Sequence, residues 1–292
     1  MLSRAQVVLT PTEAKRLLSR AVLNLDEVKK ALEEGIVIIH PSSTTIFMLE
    51  QLGFPLHEKR IWVCGHISPK GLCISRGMID TVVGTPGYSD DRYPFDLIIR
   101  RGKLLPFEES ALGPVLEEMS SRDVYVKSVN AIDPDGKVGI LIAGRSTGGS
   151  IGLVLKKQNQ IKFRIIVPVG LEKRIPIALE KAMKASLRLK KAQGIPCDLW
   201  KFRGKVITEI EAFRQLCGVE AIPVSAGGLC GAEGCMVWVL EGEEEKVEKA
   251  YKLCEEIHGH ELPYSLNVYE CENCPNPLCN FAGKKKKENI IA

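Results

Sequence analysis

Hydrophobic and polar positions alternate along this chain with two periods, one helical and one extended. After Thr10-Pro11-Thr12-Glu13, apolar residues fall on one helical face at Leu17, Leu18 and Val22. Thr10 and Glu13 form a capping box with proline in the first turn, so a helix is expected there. A second helix is expected over Asp26–Glu34, closed by Gly35. Ile36–Ile39 is a bare apolar run, read as a short buried strand. His40-Pro-Ser-Ser-Thr-Thr45 leads from it into a helix stopped by Gly53. Arg60–His66 and Gly71–Ser75 read as a strand followed by a strand or loop. Residues 79–95, rich in glycine and proline, read as a lid or an oligomer contact. Asp96–Leu105 reads as a hairpin turning at Arg101-Gly102, and Ser110–Met119 as a helix with Leu112, Val115, Leu116 and Met119 on its core face.

The chain is organised around Val124–Arg174. Strand-like runs cover Val124–Asp133, Lys137–Gly144 and Phe163–Gly170, apolar on both faces as suits strands buried between helix layers. Pro134-Asp135-Gly136 makes a turn between the first two. A long amphipathic helix is expected over Ile175–Ala192, closed by Gly194. Next come a strand at Cys197–Arg203, a capped helix at Thr208–Cys217, strands at Val219–Ser225 and Cys235–Leu240, a helix at Glu243–Ile257 and a strand at Leu262–Tyr269. That order is the ferredoxin-like split unit.

The expected fold class is therefore α/β. Residues 1–195 form an open, mostly parallel sheet with helices, 196–270 a smaller α+β ferredoxin-like domain, and 271–292 a cysteine motif with a basic tail. A length of 292 residues agrees with two domains at ~150 residues each. The net charge of +4 is mild, and the basic run Lys284–Lys287 reads as a solvated tail, so no nucleic-acid partner is expected. No apolar run is long enough to span a bilayer and no signal-peptide pattern opens the chain. A cytoplasmic location is expected. Ten cysteines in a reducing compartment point to metal or redox chemistry more than to disulfides.

Candidate chemistry falls in three places. Ser42, Ser43, Thr44 and Thr45 lie between a strand and a helix, where hydroxyls and backbone N–H groups suit an anion; the alternative is that they only cap the helix. His40 beside them is either a general base or structural. Gly144, Thr147, Gly148, Gly149 and Gly152 form a glycine-rich loop that lets backbone approach a ligand, or else merely a tight connection. It matches neither a Walker A loop nor G-x-G-x-x-G. Asp133, Glu172 and Lys173 follow strand ends facing that crevice and are the candidates for acid–base or charge-pairing roles. In the ferredoxin-like topology the first and fourth strands are antiparallel neighbours, which puts Cys197 and Cys271 at one end of the sheet. With Cys274 and Cys279 they make four thiols suited to zinc or an iron–sulfur cluster; the alternative is unmetallated thiols. Cys64, His66 and Cys73 read as buried groups rather than metal ligands. Cys230 and Cys235 read as incidental thiols of a glycine hairpin, with a redox pair or a dimer site as the alternative.

Asn130-Ala-Ile, Asp135-Gly136, the glycine loop, Val167-Pro-Val-Gly170-x-x-Lys173 and Gly194-Ile-Pro-Cys197 together resemble the lactate-utilization (LUD) family of the NagB/RpiA/CoA-transferase-like superfamily. The resemblance covers residues 10–197. Pro196-Cys197 and Cys279-Asn280 are similar to the two ends of that family's cysteine motif, with the small domain inserted between them, although the family's last spacing is longer. It adds Asn130 to the ligand-binding candidates. The Ser42–Thr45 loop lacks the glycines that the superfamily commonly carries there. The resemblance implies a fold more than a reaction. Three functions stay open: binding of a small anionic metabolite, phosphorylated or CoA-linked, with catalysis undecided; a redox accessory protein serving a partner protein; and a non-catalytic sensor or regulator, as a possible homodimer.

Overall fold

A computed structural model describes residues 1–54, 63–74, 96–106, 109–143, 148–259 and 268–284. The chain opens with a strand that the periodicity did not announce, β1 (Leu2–Leu9). The expected helices follow as α1 (Pro11–Leu23) and α2 (Asp26–Glu34). Thr10 and Glu13 form the capping box, each side chain bonded to the other's backbone. Next are β2 (Ile36–Ile39), α3 (Ile46–Gln51) and the hairpin β3 (Gly65–Ser68) with β4 (Gly71–Ile74). The hairpin β5 (Leu97–Arg100) and β6 (Lys103–Leu104) turns at Arg101 and Gly102, both at positive φ as a tight two-residue turn requires. Then come α4 (Leu112–Glu118), β7 (Val124–Val126), β8 (Ala131–Ile132), β9 (Val138–Ala143), α5 (Gly149–Ile161) and β10 (Arg164–Pro168). The remainder is α6 (Leu179–Ser186), β11 (Cys197–Phe202), β12 (Lys205–Ile207), α7 (Glu209–Cys217), β13 (Glu220–Gly227), β14 (Cys235–Glu243) and α8 (Glu244–Ile257).

The molecule is α/β, with one mixed sheet of mostly parallel strands and smaller antiparallel sheets. The large sheet has the order β12-β10-β7-β2-β5-β6. Its first four strands are parallel, and β5 and β6 are antiparallel. The two-residue period of a strand divides its side chains between two cores. Val37, Ile39, Val124, Val126 and Ile166 point into one, which α1 and α2 help build. Ile36, Ile38, Tyr125, Ile165 and Val167 point into the other, under α4 and α5. Both faces are dry, which is why these strands read as unbroken apolar runs.

Three expectations are corrected. The run Val124–Asp133 is not one strand: β7 stops at Val126, and β8 pairs with β9 in a separate sheet of order β11-β9-β8. The helix expected over Ile175–Ala192 is confined to Leu179–Ser186. Ile175 N–H bonds Ile132 O and Leu179 N–H bonds the Asp133 carboxylate, which ties the first turn to β8. The chain leaves the helix at Leu187, and Arg188 takes positive φ. Third, Cys197–Phe202 is a strand but does not open the ferredoxin-like unit. It pairs antiparallel with β9, Cys197 opposite Ala143 and Phe202 opposite Val138. The place beside β14 is taken by β1, in the order β1-β14-β13. β1 has the length and alternation for it: Val7 and Leu9 turn into the core while Leu2, Arg4, Gln6 and Val8 face solvent. The geometric reason for bringing Cys197 and Cys271 together in one sheet is thereby removed. The strand expected at Leu262–Tyr269 lies outside the described residues up to Asn267, and residues 79–95 lie wholly outside them.

Among the described residues no helix is long and apolar enough to cross a membrane.

The register of β1 makes a paired prediction. Leu9→Ala should destabilise the protein by about 2–4 kcal/mol through a core cavity, and Val8→Ala should change stability by less than about 0.5 kcal/mol. Urea denaturation of both variants checks this; equal effects would contradict the register.

Candidate functional site

Four parallel strands finish at one edge of the large sheet, and each delivers polar residues there. β2 is followed by His40, β7 by Lys127 and Ser128, β10 by Gly170–Lys173, and β12 by Thr208 and Glu209. The carboxyl edge of a parallel sheet is where open α/β folds bind ligands. α1 adds Lys15 from the adjoining layer; it lies close enough to Glu172 and Lys173 for their charges to be felt.

The polar contacts are specific. Lys173 Nζ donates to Ser128 Oγ at 3.1 Å, and Thr44 Oγ1 donates to the same oxygen at 3.3 Å. His40 Nδ1 lies 2.7 Å from Asp96 Oδ1, with both groups buried. Tyr125 OH donates to that oxygen at 3.1 Å. Tyr125 OH also lies 3.2 Å from Nδ1, so that nitrogen is the one engaged by Asp96 and Tyr125. Glu172 folds over Gly170, where an added Cβ would meet its Oε2 at 1.8 Å. Both Glu172 carboxylate oxygens are buried and lack a hydrogen-bond partner. Glu209 accepts the Leu171 N–H, at 3.0 Å to Oε2.

Burial sets the protonation of these groups. Desolvation lowers Lys127 to about 8, opposed by the nearby Cys64 and Asp96 and assisted by Lys173. Desolvation also lowers Lys173, against the attraction of Glu172, with Lys15 pushing further down. Lys15 is lowered by the same cause, with Glu172 opposing. Glu209 is pushed up to about 8 by burial and then by Glu172, against its backbone donors and Lys173. His40 is lowered by burial and by Lys127, against Asp96. Three lysine amines, Lys15, Lys127 and Lys173, thus share this buried edge with Glu172, Glu209 and Asp96.

The expected site residues divide accordingly. Glu172, Lys173 and Thr44 are at this edge. Ser42 Oγ is used inside its own loop, accepting the Thr44 and Thr45 N–H groups at 3.2 and 3.1 Å. Thr45 Oγ1 donates to His40 O. Ser43 is half-buried. The hydroxyl loop is thus largely self-capped, and Thr44 is its link to the cluster. Asp133 is structural: burial pushes its carboxyl up, and N–H donors at Leu179, Lys137 and Asp135 outweigh it and lower it. Asn130 is exposed and accepts the Leu141 N–H at the edge of the small sheet. Gly144 and Thr147 lie outside the described residues. Gly148 is left-handed, and an added Cβ would strike Trp200 at 2.6 Å, so packing alone demands glycine. Gly149 opens α5, and Gly152 N–H closes that helix's first turn on Gly148 O.

Sequence reading missed Lys127, Ser128, Glu209 and Lys15. One signal was available: Lys127 and Ser128 sit inside a run read as a continuous strand, where a lysine between apolar residues is costly. Glu209 was hidden within the capping box Thr208–Glu211, and Lys15 within an amphipathic helix.

The thiols were expected to converge as Cys197, Cys271, Cys274 and Cys279. Cys271 is pushed up by burial, against Lys70, with Cys279, Cys73 and Cys274 adding to the rise. Cys197 is pushed up to about 11 by burial, Asp198 and Cys64. Four thiols suit zinc or an iron–sulfur cluster by donor chemistry. Among the described residues, no group of three or more His, Cys, Asp or Glu side chains already stands as a ligating set, and no disulfide is present. Cys230 is exposed and Cys235 buried in their hairpin.

Two surface grooves lie elsewhere. One is lined by Met183, Leu187, Leu199 and Trp200, the other by Lys162, Arg164, Arg203 and Lys205. Neither holds the buried cluster. Comparison with models of protein families, with curated proteins and with solved structures gave no match.

Lys127 titrates near 8 in the fold against 10.5 for an unperturbed lysine. Between those values the unfolded chain binds more protons, so stability rises with pH in that window. Lys127→Met should therefore stabilise the protein by about 1–3 kcal/mol at pH 7, with the gain vanishing near the unperturbed lysine pKa. Denaturation across that range checks it; a loss at pH 7 would mean the buried ammonium is fully compensated.

Proposed function

We propose that the carboxyl edge of the parallel sheet binds a small anionic metabolite, phosphorylated or CoA-linked. The observation that carries this is the Lys173 Nζ bond to Ser128 Oγ at 3.1 Å within a buried cluster that gathers Lys15, Lys127 and Lys173. A bound anion relieves the repulsion among Lys15, Lys127 and Lys173 and restores their ordinary basicity. Thr44 and Ser128 offer hydroxyl donors beside them. His40, oriented by Asp96, and the unpartnered carboxylate of Glu172 are the acid–base groups for a proton on the bound metabolite. On this reading the chain is a LUD-like member of the NagB/RpiA/CoA-transferase-like superfamily. Its short motifs and its mixed, mostly parallel sheet support that assignment. It acts in the cytoplasm with neither nucleic acid nor membrane as partner.

A second reading is a redox accessory or regulatory protein whose thiol centre holds zinc or an iron–sulfur cluster and serves a partner protein or a second copy. Three thiols within nine residues, Cys271, Cys274 and Cys279, supply donors of the kind such a centre needs. Metal analysis of anaerobically purified protein should find about one centre per chain. Iron with acid-labile sulfide supports electron transfer, zinc supports a structural role, and neither removes this reading.

For the anion site, calorimetric titration with inorganic phosphate and with acetyl-CoA should show binding of at least one. Lys173→Met should weaken it by about tenfold or more, the loss expected for a charge-assisted hydrogen bond. The exposed Lys191→Met should leave it unchanged. No binding by the wild type, or an indifferent Lys173→Met, overturns the proposal.

A further inference from the structure

Two rows of side chains cross one face of the large sheet near its carboxyl edge. In the first, the register pairs Ile98 of β5 with Ile38 of β2, Ile38 with Tyr125 of β7, and Tyr125 with Ile165 of β10. All four are buried in the core under α4 and α5. A strand returns to the same face every two residues. Two positions nearer the edge, the second row therefore reads Asp96, His40, Lys127 and Val167. The ladder holds that far: His40 N–H bonds Val126 O and Lys127 N–H bonds Ile166 O, each at 3.0 Å. Val167 belongs to the same core as the first row. Neighbouring strands lie ~5 Å apart. A carboxylate, an imidazole and an amine thus stand side by side on three adjacent strands.

The carboxylate and the imidazole are joined, and the amine is not. Asp96 Oδ1 lies 2.7 Å from His40 Nδ1 and accepts the Tyr125 hydroxyl at 3.1 Å. Asp96 Oδ2 is buried without a hydrogen-bond partner. A lysine placed only to neutralise Asp96 would close on that oxygen, since a buried charge pair is stable only with good geometry. Lys127 does not do so, and among the described residues it pairs with no carboxylate. Asp96, His40 and Lys127 expose only 2%, 6% and 9% of their surfaces. Burial keeps the amine weakly basic, at about 8, so more of it is free base at neutral pH than of an ordinary lysine. A desolvated amine beside a group that can move protons is the equipment for attack on a carbonyl carbon.

We propose that Lys127 is a nucleophile that forms an imine with an aldehyde or ketone group of the anionic metabolite, His40 moving the protons. This rests on the anion reading above for the metabolite's charged group, and not for the chemistry of the amine. The amine lone pair attacks the carbonyl carbon, and the carbonyl π electrons pass to oxygen. A proton leaves nitrogen and one is delivered to oxygen through His40. The C–O bond then breaks, water departs, and a protonated C=N bond to Lys127 remains. Lys173, bonded to Ser128 next along the chain from Lys127, is left to hold the anionic group. The iminium draws electrons from the adjacent carbon, which suits proton transfer or bond cleavage there.

The test traps the imine in the wild-type full chain. The protein is incubated at neutral pH with glyceraldehyde 3-phosphate, or with uncharged acetaldehyde, and with cyanoborohydride, which reduces the imine to a stable amine. Peptide mapping by mass spectrometry then reads the rate at each lysine. Glyceraldehyde 3-phosphate should label Lys127 about tenfold or more faster than the exposed Lys191, and acetaldehyde should label Lys127 less readily than the phosphorylated aldehyde does. His40→Gln should slow labelling of Lys127 by about tenfold or more, the loss expected of a missing proton-transfer group; an unchanged rate overturns the part given to His40. The wild-type mapping decides the main claim whether or not that variant folds. Lys127 labelled no faster than Lys191 by either aldehyde overturns the inference, and phosphate binding measured separately then leaves the anion reading standing. Equal labelling of Lys127 by both aldehydes keeps the nucleophile and overturns the anion reading.

Discussion

The cost of burying lysine amines at the ends of parallel strands shapes this molecule. A dry two-faced sheet needs helices on both sides, and those helices also cover the edge where the strands stop. Lys127 and Lys173 reach that edge from adjacent strands, and Lys15 reaches it from α1. Water is excluded, so the charged forms are disfavoured and the amines lose basicity. Glu209 is driven the other way and becomes an acid near neutrality. Packing alone would replace such a cluster with apolar side chains. The proposed anion would offset the charge of these amines.

The start of the chain ties this edge to the rest. β1 completes the antiparallel sheet with β14 and β13, and α1 then crosses to the large sheet. Its Glu13 closes the capping box and also accepts Gly259 N–H at the end of α8. One turn of α1 later, Arg16 stacks on Phe47 of α3 at 4.5 Å. Lys15 is thereby held between the two layers.

Much of the fold could be read from sequence, and the reasons are local. Capping boxes at Thr10 and Thr208, the turn at Arg101-Gly102 and the bare run Ile36–Ile39 each declare their structure within a few residues. Strand partners are a different matter. Nothing local in Cys197–Phe202 says that it pairs with β9, because alternation specifies a face and leaves the neighbour open. β1 escaped notice since only Val7 and Leu9 of its eight residues are fully buried. The site was half legible. Glu172 and Lys173 follow a strand end and were found. Asp133 follows one too, yet it serves backbone N–H groups. Lys127 was lost because a broken strand was read as a continuous one.

The central claim is that Lys127 is a buried, weakly basic amine waiting for an anion. Its most direct test is the amine's titration by NMR in protein carrying isotope-labelled lysine, assigned by loss of the signal in Lys127→Met, with and without phosphate or acetyl-CoA. The account predicts a pKa of about 8 in the ligand-free protein, moving upward when the anion binds. A value at the ordinary 10.5 that no ligand moves would contradict it.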